Sequence, residues 1–247
     1  MALHETLNIR RDEIAPVSIL VVQSFFLGVF LGAFDVGANT LFLNNFDQSM
    51  IPRAIVISGI TGIILTSLYS TLQSKLQFST LAIINLLTVF ILTFLLRFGY
   101  FFSDTKWLAF ALFVLMGPLN IIALVGFWGT TGRIFDLRQG KRIFGFIDTG
   151  GVLGLIVSSL SIPFLITVGM ATKDLLYISA VSIFLAVIFQ FIITSRFSSN
   201  LSVKVTKQTK KSSFVDTFRL PYVRTMSFFV VLSMLVAFFV HLSLIHI

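Results

Sequence analysis

Three charged side chains interrupt or border long apolar segments of this chain: Asp35, Arg97 and Asp148. An ionised side chain inside a bilayer costs roughly 3 kcal/mol or more, so it usually binds a substrate, carries a proton or forms part of a gate. A carboxylate can hold a proton or a cation, and an arginine can hold an anion. The three positions therefore mark a candidate polar pathway between apolar helices.

Asp35 belongs to a stripe of small and polar residues. Gly28, Gly32, Asp35 and Asn39 are spaced i, i+4, i+7 and i+11, which places them on one face of a helix. One interpretation is a face that lines a central cavity, with Asp35 binding a substrate, a proton or a gating partner. The other is a packing seam whose aspartate lies at the outer membrane interface. The sequence leaves both open.

Arg97 provides a candidate partner for Asp35. Asp35 lies 18 residues after Val17, or about 27 Å of helix, and Arg97 lies 19 residues after Phe78, or about 28 Å. If both helices start at the same membrane face, the two charges have similar depth near the outer side. We hypothesise an outer ion pair that closes the cavity. The alternative is that Arg97 only extends its side chain to the headgroups.

Two further positions complete the candidate pathway. Asp148 lies near the inner end of a predicted helix and Arg133 just beyond the inner end of the preceding one, so they are a candidate inner gate. The alternative is that Asp148 lies among the headgroups. Asn120 follows Pro118, where a kink is expected, and is a candidate for lining the cavity.

Soluble-enzyme chemistry has no visible site in this sequence. The chain has no cysteine, so it has no disulfide, thiolate nucleophile or cysteine metal ligand. It contains no HExxH helix, nucleophile elbow or phosphate-binding glycine loop. We expect a protein that is not an enzyme and has no metal or cofactor.

The elements that position these residues follow from the distribution of charge. Only 11% of the 247 residues are charged and 56% are apolar, which excludes both a soluble domain and a disordered chain. Seven stretches of at least 21 residues lack any charge, and about 20 suffice to cross a bilayer. The fold class is therefore all-α and polytopic. The predicted helices are Val17–Leu43, Ile51–Gln73, Phe78–Phe102, Trp107–Thr131, Ile143–Val168, Lys173–Ser195 and Val223–His241.

The basic residues predict the orientation of these helices. With the N-terminus inside, 14 of the 18 Lys and Arg residues fall in inner segments. This bias predicts a cytoplasmic N-terminus for a multi-pass membrane protein. The same topology accounts for the net charge of +8, so nucleic acid is not an expected partner, whereas the lipid bilayer is.

The predicted organisation has four parts. Residues 1–195 form a six-helix bundle, 196–222 a basic cytoplasmic connector and 223–241 the start of a seventh helix. Residues 242–247 resemble the translation of a sequencing adapter, an artefact to be kept out of fold reasoning. On this interpretation the chain is a little over half of a larger protein and lacks its C-terminal half, so the 1–241 segment alone is not expected to transport.

Residues 127–154 carry a resemblance to a known family. Phe127-Trp128-Gly129 is followed after eleven residues by Lys141-Arg142, and the next helix contains Gly150 and Gly154. This pattern resembles the ATP/ADP translocases, nucleotide transporters of plastids and bacteria, in which Phe-Trp-Gly precedes a Glu-Ala-Lys-Arg loop and a glycine-rich helix. Here Gln139 replaces the loop glutamate, and residues 107–132 contain no carboxylate. The resemblance supports the fold and a transport role better than it supports ATP as the substrate.

The resemblance implies a major-facilitator-type secondary transporter that works by alternating access, in which two six-helix bundles rock about a central site. Four basic residues would attract anions at the cytoplasmic mouth: Arg133, Arg138, Lys141 and Arg142. A nucleotide or another organic anion is the expected substrate. The alternative is a membrane-embedded sensor or scaffold that carries cytoplasmic domains further along the chain and does not transport.

Overall fold

The regular structure of this chain is helical. The computed structural model describes residues 10–11, 13–102, 106–197 and 220–245, and it contains no strand in that part of the chain. Two single turns of 3₁₀ helix, Gln48–Met50 and Thr172–Asp174, precede the second and sixth α-helices. The α-helices in chain order are α1 Ile14–Asn45, α2 Ile51–Gln73, α3 Phe78–Phe102, α4 Lys106–Ile134, α5 Leu137–Thr167, α6 Leu175–Arg196 and α7 Pro221–Ile245.

Six of these helices, α1 to α6, are long and apolar enough to cross a membrane. The predicted all-α class is thereby confirmed for the described residues, and the six apolar helices indicate a multi-pass membrane protein. The predicted bounds of α2 and α3 agree with the structure. The predicted start of α5 at Ile143 is wrong, since the helix begins at Leu137. Gln139 to Arg142 therefore lie in the first turns of α5 and not in a loop. The Gln139 Oε1 accepts the Asp136 backbone N–H at 3.0 Å and so stabilises this start.

The α1 helix is at the centre of the bundle and packs against α4, α5 and α6. The α3 helix packs against α4 and α6, and α2 packs mainly against α4. Large apolar side chains fill the space around α1, and Phe30, Phe34 and Phe127 are fully buried. We call the end of the bundle at which α1 begins the amino-terminal end. The other end is the opposite end.

Glycine allows α1 and α5 to approach backbone to backbone. A Cβ atom at Gly28 would overlap the Gly151 carbonyl oxygen, and one at Gly154 would overlap the Phe25 carbonyl oxygen. A Cβ at Gly150 would overlap a carbonyl oxygen of α1 in the same way. Small residues are the usual means of close helix contact in a membrane, where apolar burial alone does not drive association. We call this contact the glycine seam.

The chain divides into two compact units, Met1–Val203 and Lys204–Ile247. The first contains α1 to α6. The second contains α7, whose apolar part, Pro221–Val236, is shorter than the six spans. Most of the predicted basic connector, residues 198–219, lies outside the described residues, as do residues 246–247 of the predicted adapter segment.

Candidate functional site

The centre of the bundle contains a carboxylate paired with an amide. Asn120 Nδ2 donates a hydrogen bond of 2.7 Å to Asp35 Oδ1, joining α4 to α1. Asn120 is the middle residue of α4, so the pair lies about 20 Å from either end of that helix. Asn39, one turn beyond Asp35, donates to the Asp35 backbone oxygen at 2.8 Å and to Met116 Sδ at 3.4 Å. We call Asp35, Asn39 and Asn120 the polar centre.

One buried atom of the polar centre has no partner among the described residues. Asn120 Oδ1 is buried and accepts no hydrogen bond in the structure. Leaving a buried acceptor unsatisfied costs about 1–3 kcal/mol. The polar centre therefore has room for one more donor, while the Asp35 and Asn39 side chains remain half-buried.

The stripe predicted on α1 serves two purposes. Gly28 and Gly32 face α5, where Gly28 contacts Gly151 and Gly32 contacts Ser158. Asp35 and Asn39 contact α4 instead. The first half of the stripe, Gly28 and Gly32, is a packing seam, and the second half, Asp35 and Asn39, is polar. Asp35 is paired with the middle residue of α4, which favours the cavity interpretation over an aspartate at the outer interface.

The predicted ion pair between Asp35 and Arg97 is wrong. Arg97 Nη2 donates to Asp174 Oδ1 at 2.7 Å, and its guanidinium lies 4.0 Å from the centre of the Tyr177 ring. Gly37 explains the difference, because it lies about 200° around the helix from Asp35 and contacts the start of α6, next to Asp174. Residue counting gives only the depth along a helix, and the two charges lie on different sides of α1.

Arg97 also does not simply extend to the headgroups. Its residue is only 7% exposed, and one guanidinium atom, Nε, is buried without a partner. A shallow cleft of about 300 Å³ opens at the opposite end of the bundle, where the last turns of α1 and α3 meet the residues before α6. Its lining residues are Leu41, Asn44, Asn45, Tyr100, Ala171, Thr172 and Lys173.

A second ion pair lies at the amino-terminal end. Glu13, which is 3% exposed, accepts from Arg142 Nη2 at 2.6 Å through Oε2 and from Gln139 Nε2 at 2.9 Å through Oε1. This cluster ties the residue before α1 to the first turns of α5. Gln139 can make its bond because an amide nitrogen is a donor. A glutamate there would place two carboxylates together.

The predicted gate between Arg133 and Asp148 is not formed. The Arg133 guanidinium lies 3.9 Å from the centre of the Phe78 ring, and Asp148 is exposed on α5. Among the residues that the structure describes, no ion pair joins these two. Of the predicted basic mouth, Arg142 is held by Glu13, whereas Arg138 and Lys141 are exposed.

The Phe-Trp-Gly segment packs the end of α4. Phe127 is buried, and the Trp128 ring lies 5.8 Å from that of Phe144 on α5. A Cβ at Gly129 would meet the Phe78 ring, so glycine makes room for the residue that lies under Arg133. These contacts give the segment a structural role.

A buried amide network was not predicted from the sequence. Gln23 Nε2 donates to Gln190 Oε1 at 3.0 Å, and Gln190 Nε2 donates to Thr130 Oγ1 at 3.2 Å. All three residues are fully buried, and they join α1, α6 and α4. The available signal is the amide side chains in apolar spans, since such groups need partners within the bundle.

Comparison with protein-family models, with curated proteins and with solved structures finds no match for this chain. The arguments about function therefore rest on the sequence and on this geometry.

Proposed function

We propose that this chain carries the N-terminal six-helix bundle of a secondary transporter of the major facilitator type, which works by alternating access. The observation that supports this most is the polar centre. Packing in a membrane needs no carboxylate within an apolar helix, and such residues mark pathways for substrates and ions. The hydrogen bond between Asp35 and Asn120 lies at the middle of α4 and ten residues before the end of α1.

The exposed faces of α2 and α5 support the same proposal. In a bundle surrounded only by lipid, the least buried helices should be the most apolar. Here the trend is reversed: α2 and α5 are the least buried spans, and they have the lowest mean hydropathy, 1.8 and 1.9 against 2.2 to 2.5 for the other four. These faces suit a second bundle and a water-filled cavity between the two.

The proposed substrate is an organic anion, with nucleotides as the first class to test. Arg138 and Lys141 are exposed on the first turns of α5, where they would raise the local concentration of anions. We place this end in the cytoplasm because the basic residues concentrate on that side. The bacterial inner membrane is the proposed location because residues 127–154 resemble translocases with a divergent bacterial branch.

The absence of cysteine permits a direct test with single cysteines. Asn39→Cys places a thiol at the polar centre, and Val181→Cys, 58% exposed on α6, places one on the most apolar span. In proteoliposomes of the complete protein, with both bundles present, a membrane-impermeant thiol reagent should label Asn39→Cys and not Val181→Cys. Protection of Asn39→Cys by a nucleotide or another organic anion would then identify the substrate class.

The same experiment separates transport from the sensor or scaffold alternative. A scaffold needs only a sealed bundle, so the thiol at position 39 would stay unlabelled from both sides of the membrane. That outcome, with normal folding of the variant by circular dichroism, would overturn the proposal.

A further inference from the structure

Among the residues that the structure describes, Asp35 has no basic partner. The described residues contain two ion pairs within the bundle, Arg97–Asp174 and Arg142–Glu13, and neither includes it. On α4, which carries Asn120, the charged residues are at the ends, about 20 Å away. An ionised Asp35 would therefore be a carboxylate within the bilayer that is stabilised by neutral groups alone.

The other helices against α1 do not supply a counter-charge. On α5, Gly151 contacts Gly28, which lies about 10 Å from Asp35 towards the amino-terminal end of the bundle. The charged residues of α5 all lie still closer to that end: Arg138, Lys141, Arg142 and Asp148. On α6, Arg196 is at the far end. Before its start, Lys173 lines the cleft with Leu41, Asn44 and Asn45, further along α1 than Asp35. Tyr177 lies with Asp174 and its partner Arg97 on the other side of α1. On α1 itself the charge is Glu13, about 33 Å away.

The orientation of Asn120 indicates which ligand the carboxylate takes. The amide presents its Nδ2 donor to Asp35 Oδ1 and keeps Oδ1 buried without a donor. A carboxylic acid facing a primary amide can form two hydrogen bonds, N–H to the carbonyl oxygen and O–H to the amide oxygen. An ionised Asp35 satisfies only the first. A protonated Asp35 also supplies the donor that Asn120 Oδ1 lacks.

A metal cation fits this arrangement less well. Hard cations such as Ca²⁺ and Mg²⁺ need six or more oxygen ligands, and they are repelled by N–H groups. Here the Asn120 amide donates an N–H to the Asp35 carboxylate, and the Asn39 amide donates to the Asp35 backbone oxygen.

We propose that Asp35 is the proton-binding site of the transporter, with Asn120 as the residue that positions the proton. This inference rests on the proposed function. One proton binds the ionised carboxylate at Oδ2, the new O–H donates to Asn120 Oδ1, and no other bond changes. Because an ionised Asp35 repels an anion, its protonation allows an anionic substrate to pass, and the transporter moves both in the same direction.

Infrared difference spectroscopy tests this without a substrate. Residues 1–247 in liposomes are compared between acidic and alkaline buffer, and the carbonyl stretch of a protonated carboxylic acid is followed. We expect a band at acidic pH that Asp35→Asn removes. The matched control is Asp47→Asn, the same change at an exposed carboxylate outside the spans, which should leave the band in place.

Asn120→Leu provides a second reading. It removes both hydrogen bonds to the acid, so the band should remain but move to higher frequency. A band that survives Asp35→Asn unchanged, or a wild-type spectrum without any pH-dependent band, would overturn the assignment. The cysteine labelling tests the proposed function separately from the proton site. Access of the reagent to position 39 does not depend on whether Asp35 binds a proton, so either experiment can fail without the other.

Discussion

The glycine seam makes a quantitative prediction about stability. In Gly154→Ala the new methyl group meets the backbone of Phe25 and Val29, so no side-chain rotation can relieve the contact and the helices must separate. Overpacking of this kind costs about 1–3 kcal/mol. Alanine gains about 1 kcal/mol over glycine in a helix, which offsets part of this.

Gly145 provides the control within the same helix. A Cβ there meets nothing within 4 Å, so Gly145→Ala has the propensity gain without the contact. The difference between the two variants isolates the seam and should be about 1–3 kcal/mol, with Gly154→Ala the less stable. At about 2–4 °C per kcal/mol for a chain of this size, the melting temperatures should differ by several degrees.

The assay is unfolding of the detergent-solubilised chain, by heat and by titration with SDS, followed by circular dichroism. Equal stability of Gly154→Ala and Gly145→Ala would refute the reasoning. It would mean that α1 and α5 do not touch at the backbone, and the rest of the packing around α1 would need revision.

The two ion pairs make the remaining predictions. Gln139→Glu should lower stability by about 1–3 kcal/mol, since it places a carboxylate against Glu13, and adding Glu13→Gln should restore most of the loss by exchanging the charged and neutral groups. A double-mutant cycle measured by SDS titration checks this, and additive effects would contradict it. Asp174→Asn should destabilise more than Arg97→Gln in thermal melts, because it leaves a nearly buried guanidinium unpaired, whereas Arg97→Gln leaves a carboxylate whose side chain is 31% exposed. The reverse order would show that Arg97 reaches water.

The helices could be predicted from the sequence because charge is so costly in a bilayer that a long uncharged run in an apolar chain indicates a membrane-spanning helix. The same rule misplaces the start of α5. It assigns Lys141 and Arg142 to a loop, yet Arg142 is neutralised by Glu13 and Lys141 is exposed on the first turns of the helix. A charge near a helix end is compatible with the helix when a partner or water is within reach.

The partners of the charged residues could not be predicted. Counting residues gives the depth of a side chain along its helix. The neighbour that the side chain meets depends on how the helices are arranged around it, and residue spacing does not determine that arrangement. Asp35 and Arg97 match in depth by residue count, and they are separated by α1 itself. The buried amides of Gln23 and Gln190 could not be recognised from the hydropathy of their helices, because a neutral polar residue lowers the mean hydropathy of an apolar segment without interrupting it as a charge does.

The carboxylates that the bundle shelters fall into two kinds. Of the described carboxylates that are not exposed, Glu13 and Asp174 each hold an arginine, and each lies just before a helix begins. Asp35 lies within α1, ten residues before the end of that helix, and among the described residues it holds only an amide. The two ion pairs join helices to one another, and because Asp35 takes part in neither, a change of its charge need not disturb them. On the function proposed above, the two ion pairs would hold the helices in place while Asp35 gains and loses a proton, and the unsatisfied oxygen of Asn120 would accept the hydrogen bond of the protonated acid.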